Sequence, residues 1–268
     1  MLKEITINKN GSTLFYRLKG EGTAVMLVHG FGEDGQIWEN QYLALQDRFR
    51  MIVPDLPGSG RSSMKDELSM DLMAVQLKEL LDELKVDTCY MIGHSMGGYV
   101  TLAFAEQFPE RLKGLGLFHS TAFADSEEKK AVRRRGIDFI ETHGALKFQE
   151  QAIPNLFSDI FKQENPDKLP EFIEKYTNVQ GEALVSYYEA MIKRPDRTHI
   201  LKNFNKPLLF IMGEKDTAVP LEHSLRQCHL PRLSYIQILR HSAHMGMLEE
   251  AKVSTGFIRK FLKECEID

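Results

Sequence analysis

Hydrophobic positions along this chain fall into short, nearly unbroken runs separated by stretches of helical period. Leu2 to Ile7 alternates apolar and polar residues, Asn10-Gly11 offers the positive-φ chemistry of a tight turn, and Leu14 to Leu18 resumes the alternation, which predicts an opening β-hairpin. Ala24 to Val28, Met51 to Val53, Cys89 to Ile92, Leu112 to Phe118, Leu208 to Met212 and Tyr235 to Leu239 are nearly continuous apolar runs, the pattern of strands covered on both faces. Between them, Met70 to Leu84 carries Leu72, Val75, Leu77, Leu80, Leu81 and Leu84 as an apolar stripe behind the N-cap Ser69. Gly97 to Gln107 and Glu249 to Lys263 read as helices in the same way. Strand and helix alternate from residue 24 onward, so right-handed crossovers predict an α/β fold with a mostly parallel, doubly wound sheet and an N-terminal β-hairpin.

One interval breaks the rhythm. From Thr121 to Asn205 no strand is predicted, only helical patterns over Lys129 to Thr142, Gly144 to Phe161 and Glu182 to Lys193. The expected organisation is a core of residues 1–120 and 206–268 interrupted by a helical insertion over 121–205. Its 13 Lys/Arg stand against 14 Asp/Glu, so no membrane-docking surface is indicated. Phe139, Phe148, Phe157, Phe161, Tyr187, Tyr188 and Met191 are candidates to line a pocket there, although aromatics at helical spacing equally describe an ordinary core.

Composition narrows the class. With 268 residues, 43% hydrophobic and 27% charged, the chain suits one soluble domain with an insertion. A net charge of -4 gives no basic excess to hold phosphates, so nucleic acid is not an expected partner. The N-terminus lacks the apolar region of a signal peptide and no run approaches the roughly 18 apolar residues of a membrane span, which predicts a cytoplasmic protein without membrane attachment. Cys89, Cys228 and Cys265 are odd in number and far apart, the pattern of reduced thiols rather than of disulfides or a metal site. No metal or other cofactor is expected.

The sharpest chemical signal is Gly93-His94-Ser95-Met96-Gly97-Gly98, a G-x-S-x-G directly between a predicted strand and a predicted helix. A serine hydroxyl needs a base to take its proton, and a tight strand-to-helix turn lifts it clear of the sheet to meet both base and substrate. Upstream, His29-Gly30-Phe31-Gly32 follows another strand and can aim a backbone N–H at the same place, so the amides of Phe31 and Met96 are the candidate oxyanion hole. Downstream, Gly213-Glu214-Lys215-Asp216 puts Asp216 at the C-terminal end of a strand, where open α/β sheets build their sites. Glu214 and Asp125 are rival acids; Asp216 is preferred because it keeps the order Ser, Asp, His. His244, in the loop after the last strand, is the candidate base, with His241 as competitor and with His94 and His29 read as structural.

Taken together these segments resemble the α/β-hydrolase superfamily, close to its esterase and lipase-like, C–C hydrolase and enol-lactonase members. The resemblance covers nearly the whole core and includes Asp55-Leu56-Pro57-Gly58-Ser59-Gly60-Arg61-Ser62, which in that family is a structural turn. It implies that residues 121–205 form a cap over the site. The lone Trp38, which follows the oxyanion loop, is a candidate pocket residue along with Tyr187, Tyr188 and Met191, with a core position on a helix face as the equal alternative. The leading expectation is hydrolysis of a small-molecule carboxylic ester by Ser95, His244 and Asp216 through an acyl-enzyme. Ser95 at the elbow disfavours dehalogenation and epoxide hydrolysis, which use aspartate there. C–C bond hydrolysis, with His94 where those enzymes often carry asparagine, lactone cleavage, and a ligand receptor with little turnover are the alternatives. A homo-oligomer is compatible with the sequence.

Overall fold

In the computed structural model, residues 3–9, 12–64, 67–176 and 179–266 are described. The Asn10-Gly11 turn lies outside them. Eight strands form one sheet in the order β1-β2-β4-β3-β5-β6-β7-β8. The hairpin strands β1 (Lys3–Lys9) and β2 (Ser12–Lys19) are antiparallel, and β2 also runs against β4 (Phe49–Pro54). From β4 onward every pairing is parallel, through β3 (Thr23–Val28), β5 (Cys89–His94), β6 (Leu112–Phe118), β7 (Leu208–Gly213) and β8 (Ser234–Leu239).

Unbroken apolar strands are what a sheet covered on both faces requires, and the side chains sort themselves by the period of two. Ala24, Met26 and Val28 join one core with α2 (Met70–Glu83) and α3 (Met96–Gln107), while Val25 and Leu27 join the other with α1 (Glu39–Leu45) and α12 (Ala251–Cys265). Helix α2 buries Met70, Met73, Ala74, Leu77, Leu80 and Leu81, whereas Leu72 is exposed. The packed face is thus set by the 70, 73, 74, 77 spacing, which puts Leu72 on the opposite side. Ser69 caps the helix as predicted, accepting from the Leu72 amide.

Between β6 and β7 the described residues hold helices and no strand: α4 (Glu127–His143), α5 (Ala145–Ala152), α6 (Asp159–Glu164), α7 (Lys168–Tyr176), α8 (Gly181–Lys193) and α9 (Thr198–Asn203). The sequence pattern predicts one helix over Gly144 to Phe161, but Pro154 falls inside it. A proline in a helix interior removes a hydrogen bond and clashes with the preceding turn, and the chain answers with a 3₁₀ turn at Ile153–Leu156 before restarting at the N-cap Ser158. Helices α7 and α9 are additional to the predicted set. After β7 come α10 (Leu221–Leu225) and, after β8, the short α11 (Gly246–Glu249) ahead of α12. No helix among the described residues is long and apolar enough to cross a membrane. No disulfide joins the three cysteines among the described residues, and burial pushes the Cys89 thiol up to about 12 and the Cys228 thiol up to about 11.

Candidate active site

The C-terminal ends of the parallel strands converge on one place. Between β5 and α3, Ser95 has φ 49° and ψ −114°, a left-handed conformation rare outside glycine. Two backbone hydrogen bonds hold it, from the Ser95 amide to the Phe118 carbonyl at 2.9 Å and from the Gly98 amide to the Ser95 carbonyl at 3.0 Å. Only glycines close this turn: a Cβ at Gly93 would lie 2.2 Å from the Gly97 carbonyl oxygen, and one at Gly97 would lie 2.4 Å from the His29 carbonyl oxygen.

Asp216 follows β7, as the sequence predicts, and its carboxylate is closed on every side. Oδ1 accepts the Ala218 and Val219 amides at 2.8 and 2.9 Å, and Oδ2 accepts Nδ1–H of His244 at 2.8 Å. A second imidazole, that of His119 at the end of β6, reaches the same Oδ2 at 2.9 Å. Burial would raise the Asp216 carboxyl, but the two histidines outweigh it and hold it well below the usual range. Burial would equally lower His244, and the Asp216 charge and hydrogen bond outweigh it, so His244 is raised. His119 goes the other way: burial dominates and brings it down to about 4. Its Nε2 is buried without a hydrogen-bond partner among the described residues. The ligating atoms of His119, Asp216 and His244 lie within 4.8 Å of one another. Both Nδ1 atoms stand at hydrogen-bond distance from Oδ2, so the cluster is two imidazoles donating to one carboxylate.

Ser95 and His244 line a common cavity of about 520 Å³ together with Phe31, Tyr99, Tyr188, Met191 and Lys129. The Ser95 hydroxyl makes no hydrogen bond among the described residues; such contacts commonly tighten only when substrate is bound. Gly30 is packed against the elbow, since a Cβ there would lie 3.2 Å from the Ser95 Cβ. The Phe31 and Met96 amides donate to no acceptor among the described residues. Of the predicted pocket residues, Tyr188 and Met191 line the cavity. Trp38 and Tyr187 do not. Trp38 is fully buried against Phe118 and His94 on the far face of the sheet, and the Tyr187 hydroxyl turns away to donate to the Pro57 carbonyl at 2.6 Å and to meet Ser59. The rival acids are engaged elsewhere: Glu214 is exposed and pairs with Lys215, and Asp125 is clasped by Arg133 and Arg194. His241 is exposed, while His29 accepts from the Leu56 amide and faces the Gly30 carbonyl.

Two residues that the motif reading passes over organise the loops. Glu33 accepts the Gly30 amide at 2.8 Å and His94 Nδ1 at 3.0 Å, and His94 Nε2 meets the His244 carbonyl at 3.0 Å. Burial would raise the Glu33 carboxyl, but its contact with His94 outweighs burial and Glu33 is lowered. Glu249 accepts the amides on either side of His244, from Ala243 and Met245, each at 3.0 Å. Its other oxygen accepts the Ser158 amide at 2.8 Å, while burial raises the carboxyl. A search of the residue following each parallel strand finds His119; neither glutamate announces itself in the sequence.

The chain belongs to the alpha/beta hydrolase fold family, whose model matches residues 23–251. A thermophilic esterase from Thermogutta terrifontis, solved with malate bound, superimposes with a TM-score of 0.92 at 30% identity, covering 98% of this chain and 99% of that one. Among curated proteins, the dihydrolipoyllysine-residue acetyltransferase component of the acetoin cleaving system of Pseudomonas putida is 30% identical over 93% of this chain, which spans 66% of that relative's length. The 2-hydroxy-6-oxo-2,4-heptadienoate hydrolase of Pseudomonas putida is 27% identical over 90% of this chain and 88% of its own. Hydrolase chemistry on a small molecule is the family's setting.

Proposed function

We propose that the protein is a serine hydrolase cleaving a carboxylic ester through an acyl-enzyme, with Ser95 as nucleophile, His244 as base and Asp216 as the acid that orients it. The observation that carries this is the 2.8 Å hydrogen bond from His244 Nδ1 to an Asp216 carboxylate held ionised, in a loop that brings His244 to the cavity Ser95 lines at its strained turn. With Nδ1–H given to Asp216, the lone pair of neutral His244 is on Nε2, free to take the Ser95 proton. Ser95 Oγ then bonds to the ester carbonyl carbon and the carbonyl oxygen becomes an oxyanion. The Phe31 and Met96 amides, which meet no acceptor among the described residues, are its donors; losing one such donor costs on the order of 3 kcal/mol of transition-state stabilisation. His244 passes the proton to the departing alkoxide, and a water that it deprotonates releases the acid and restores Ser95.

Residues 121–205 act in this reading as a cap over a core of 1–120 and 206–268. The support is its wiring: the His244 amide donates to the Leu156 carbonyl, and Gln149 donates to the Gly32 carbonyl of the oxyanion loop. The test is steady-state hydrolysis of p-nitrophenyl esters from acetate to dodecanoate, with Ser95→Ala as control. Turnover that Ser95→Ala abolishes while circular dichroism stays unchanged is the expected result. A folded protein that turns over no ester, or a Ser95→Ala variant near the parent rate, rules the assignment out.

A further inference from the structure

The cavity wall carries charge that ester hydrolysis leaves unused. Helix α4 presents Lys129 and Arg133, one turn apart, to the space that Ser95 and His244 line. Lys129 forms no ion pair among the described residues. Its ammonium donates to the Ala218 carbonyl at 2.6 Å, which engages one of three N–H donors. Arg133 donates to Asp125 through Nε at 2.5 Å, yet Asp125 also pairs with Arg194 at 3.0 Å. Two guanidiniums therefore divide one carboxylate, and Lys129 adds a third cation.

The acids on the same wall do not balance them. Glu33 is closed by His94 at 3.0 Å, and Glu128 is exposed at the rim. The buried Tyr99 phenol registers the field: burial would raise it, but Arg194, Arg133 and Lys129 outweigh burial and lower it. Cationic donors in a half-buried site bind a carboxylate through charge-assisted hydrogen bonds that a neutral group cannot match.

We propose that the substrate is an ester carrying a second, anionic group, a carboxylate, held by Lys129 and Arg133 while Ser95 attacks the ester carbonyl. This rests on the ester-hydrolase reading above. Two matched pairs test it: mono-4-nitrophenyl adipate against 4-nitrophenyl hexanoate, with the anion on the acyl side, and 4-carboxyphenyl butyrate against phenyl butyrate, with the anion on the alcohol side. The expected result is a kcat/KM preference of about tenfold or more for the charged member of one pair, and that pair identifies the half that bears the carboxylate. Lys129→Met brings the charged-to-neutral ratio down about tenfold and Lys129→Arg restores it. Adipate inhibiting the unaltered protein more tightly than hexanoate gives the same contrast without a variant. Equal turnover of charged and neutral esters, all abolished by Ser95→Ala, overturns this inference and leaves the hydrolase reading standing. Turnover of no ester removes both.

Discussion

His244 and His119 donate to the same oxygen of Asp216 and yet titrate in opposite directions, because one keeps a net gain from the carboxylate and the other is dominated by burial. The base must be neutral to accept a proton, so with His244 raised, kcat/KM should climb with pH through a midpoint above the ordinary histidine value near 6.5. Asp216→Asn removes the cause: the midpoint should move down and turnover should fall by about 10³- to 10⁴-fold, measured as a pH–rate profile. Glu214→Gln, at an exposed carboxylate paired with Lys215, should change turnover little, and the reverse ranking would transfer the acid role. For His119 the consequence is stability. A histidine depressed to about 4 when folded and near 6.5 when unfolded leaves the unfolded chain binding more protons between those values. Its contribution is fully present above 6.5 and is lost as pH falls through 4. The gap in urea midpoint between the parent protein and His119→Asn should therefore shrink from pH 7 to pH 4, and a constant gap would contradict the assignment.

At the level of elements, the site is a set of loops whose positions are fixed by backbone fit rather than by the residues that perform chemistry. Gly97 lets α3 start directly over the β3 loop, and Gly97→Ala drives a Cβ to within 2.4 Å of the His29 carbonyl oxygen. Since the obstacle is backbone, relief means moving the elbow; the expected cost is about 2 kcal/mol or more of stability together with a large loss of kcat, read by denaturant titration and ester hydrolysis. This also explains what the sequence discloses. The strands, the elbow turn and the position of Asp216 just after β7 are legible because apolar runs, glycines and chain order report on them directly. The α2 stripe was misplaced at Leu72 since a leucine-rich helix offers two overlapping apolar spacings, and the break at Pro154 was hidden by continuous helical hydrophobicity on either side. Glu33, His119 and Glu249 leave no periodic trace, because each acts through contacts between segments that only the completed sheet brings together. Trp38 and Tyr187 looked like pocket residues for a similar reason: aromatic character does not say which face of an element turns to the cavity.

Across the whole molecule, the helices between β6 and β7 are bonded to both loops on which the proposed chemistry depends. Leu156 accepts the His244 amide, the Ser158 amide rests on Glu249, and Gln149 reaches the Gly32 carbonyl. On the cavity side, Tyr188 of α8 stacks on Phe31 at 4.3 Å and packs edge-on against Phe148 at 5.8 Å, so one aromatic ring joins the helical segment to the candidate oxyanion loop. A space of about 520 Å³ shared among a serine, a histidine and this aromatic wall limits how long an acyl chain can be while its carbonyl still meets Ser95. Esters of short to medium acids should therefore be turned over best, with kcat/KM falling toward dodecanoate. Tyr188→Ala removes the ring that bounds the cavity beside Phe31, and the preferred p-nitrophenyl ester should become longer. Because the ring also steadies the Phe31 loop, kcat on the shortest ester should drop as well. A variant whose optimum stays at the parent chain length, with kcat reduced uniformly across the series, would make Tyr188 a support for the loop and would place the boundary of the acyl pocket elsewhere on the helical segment.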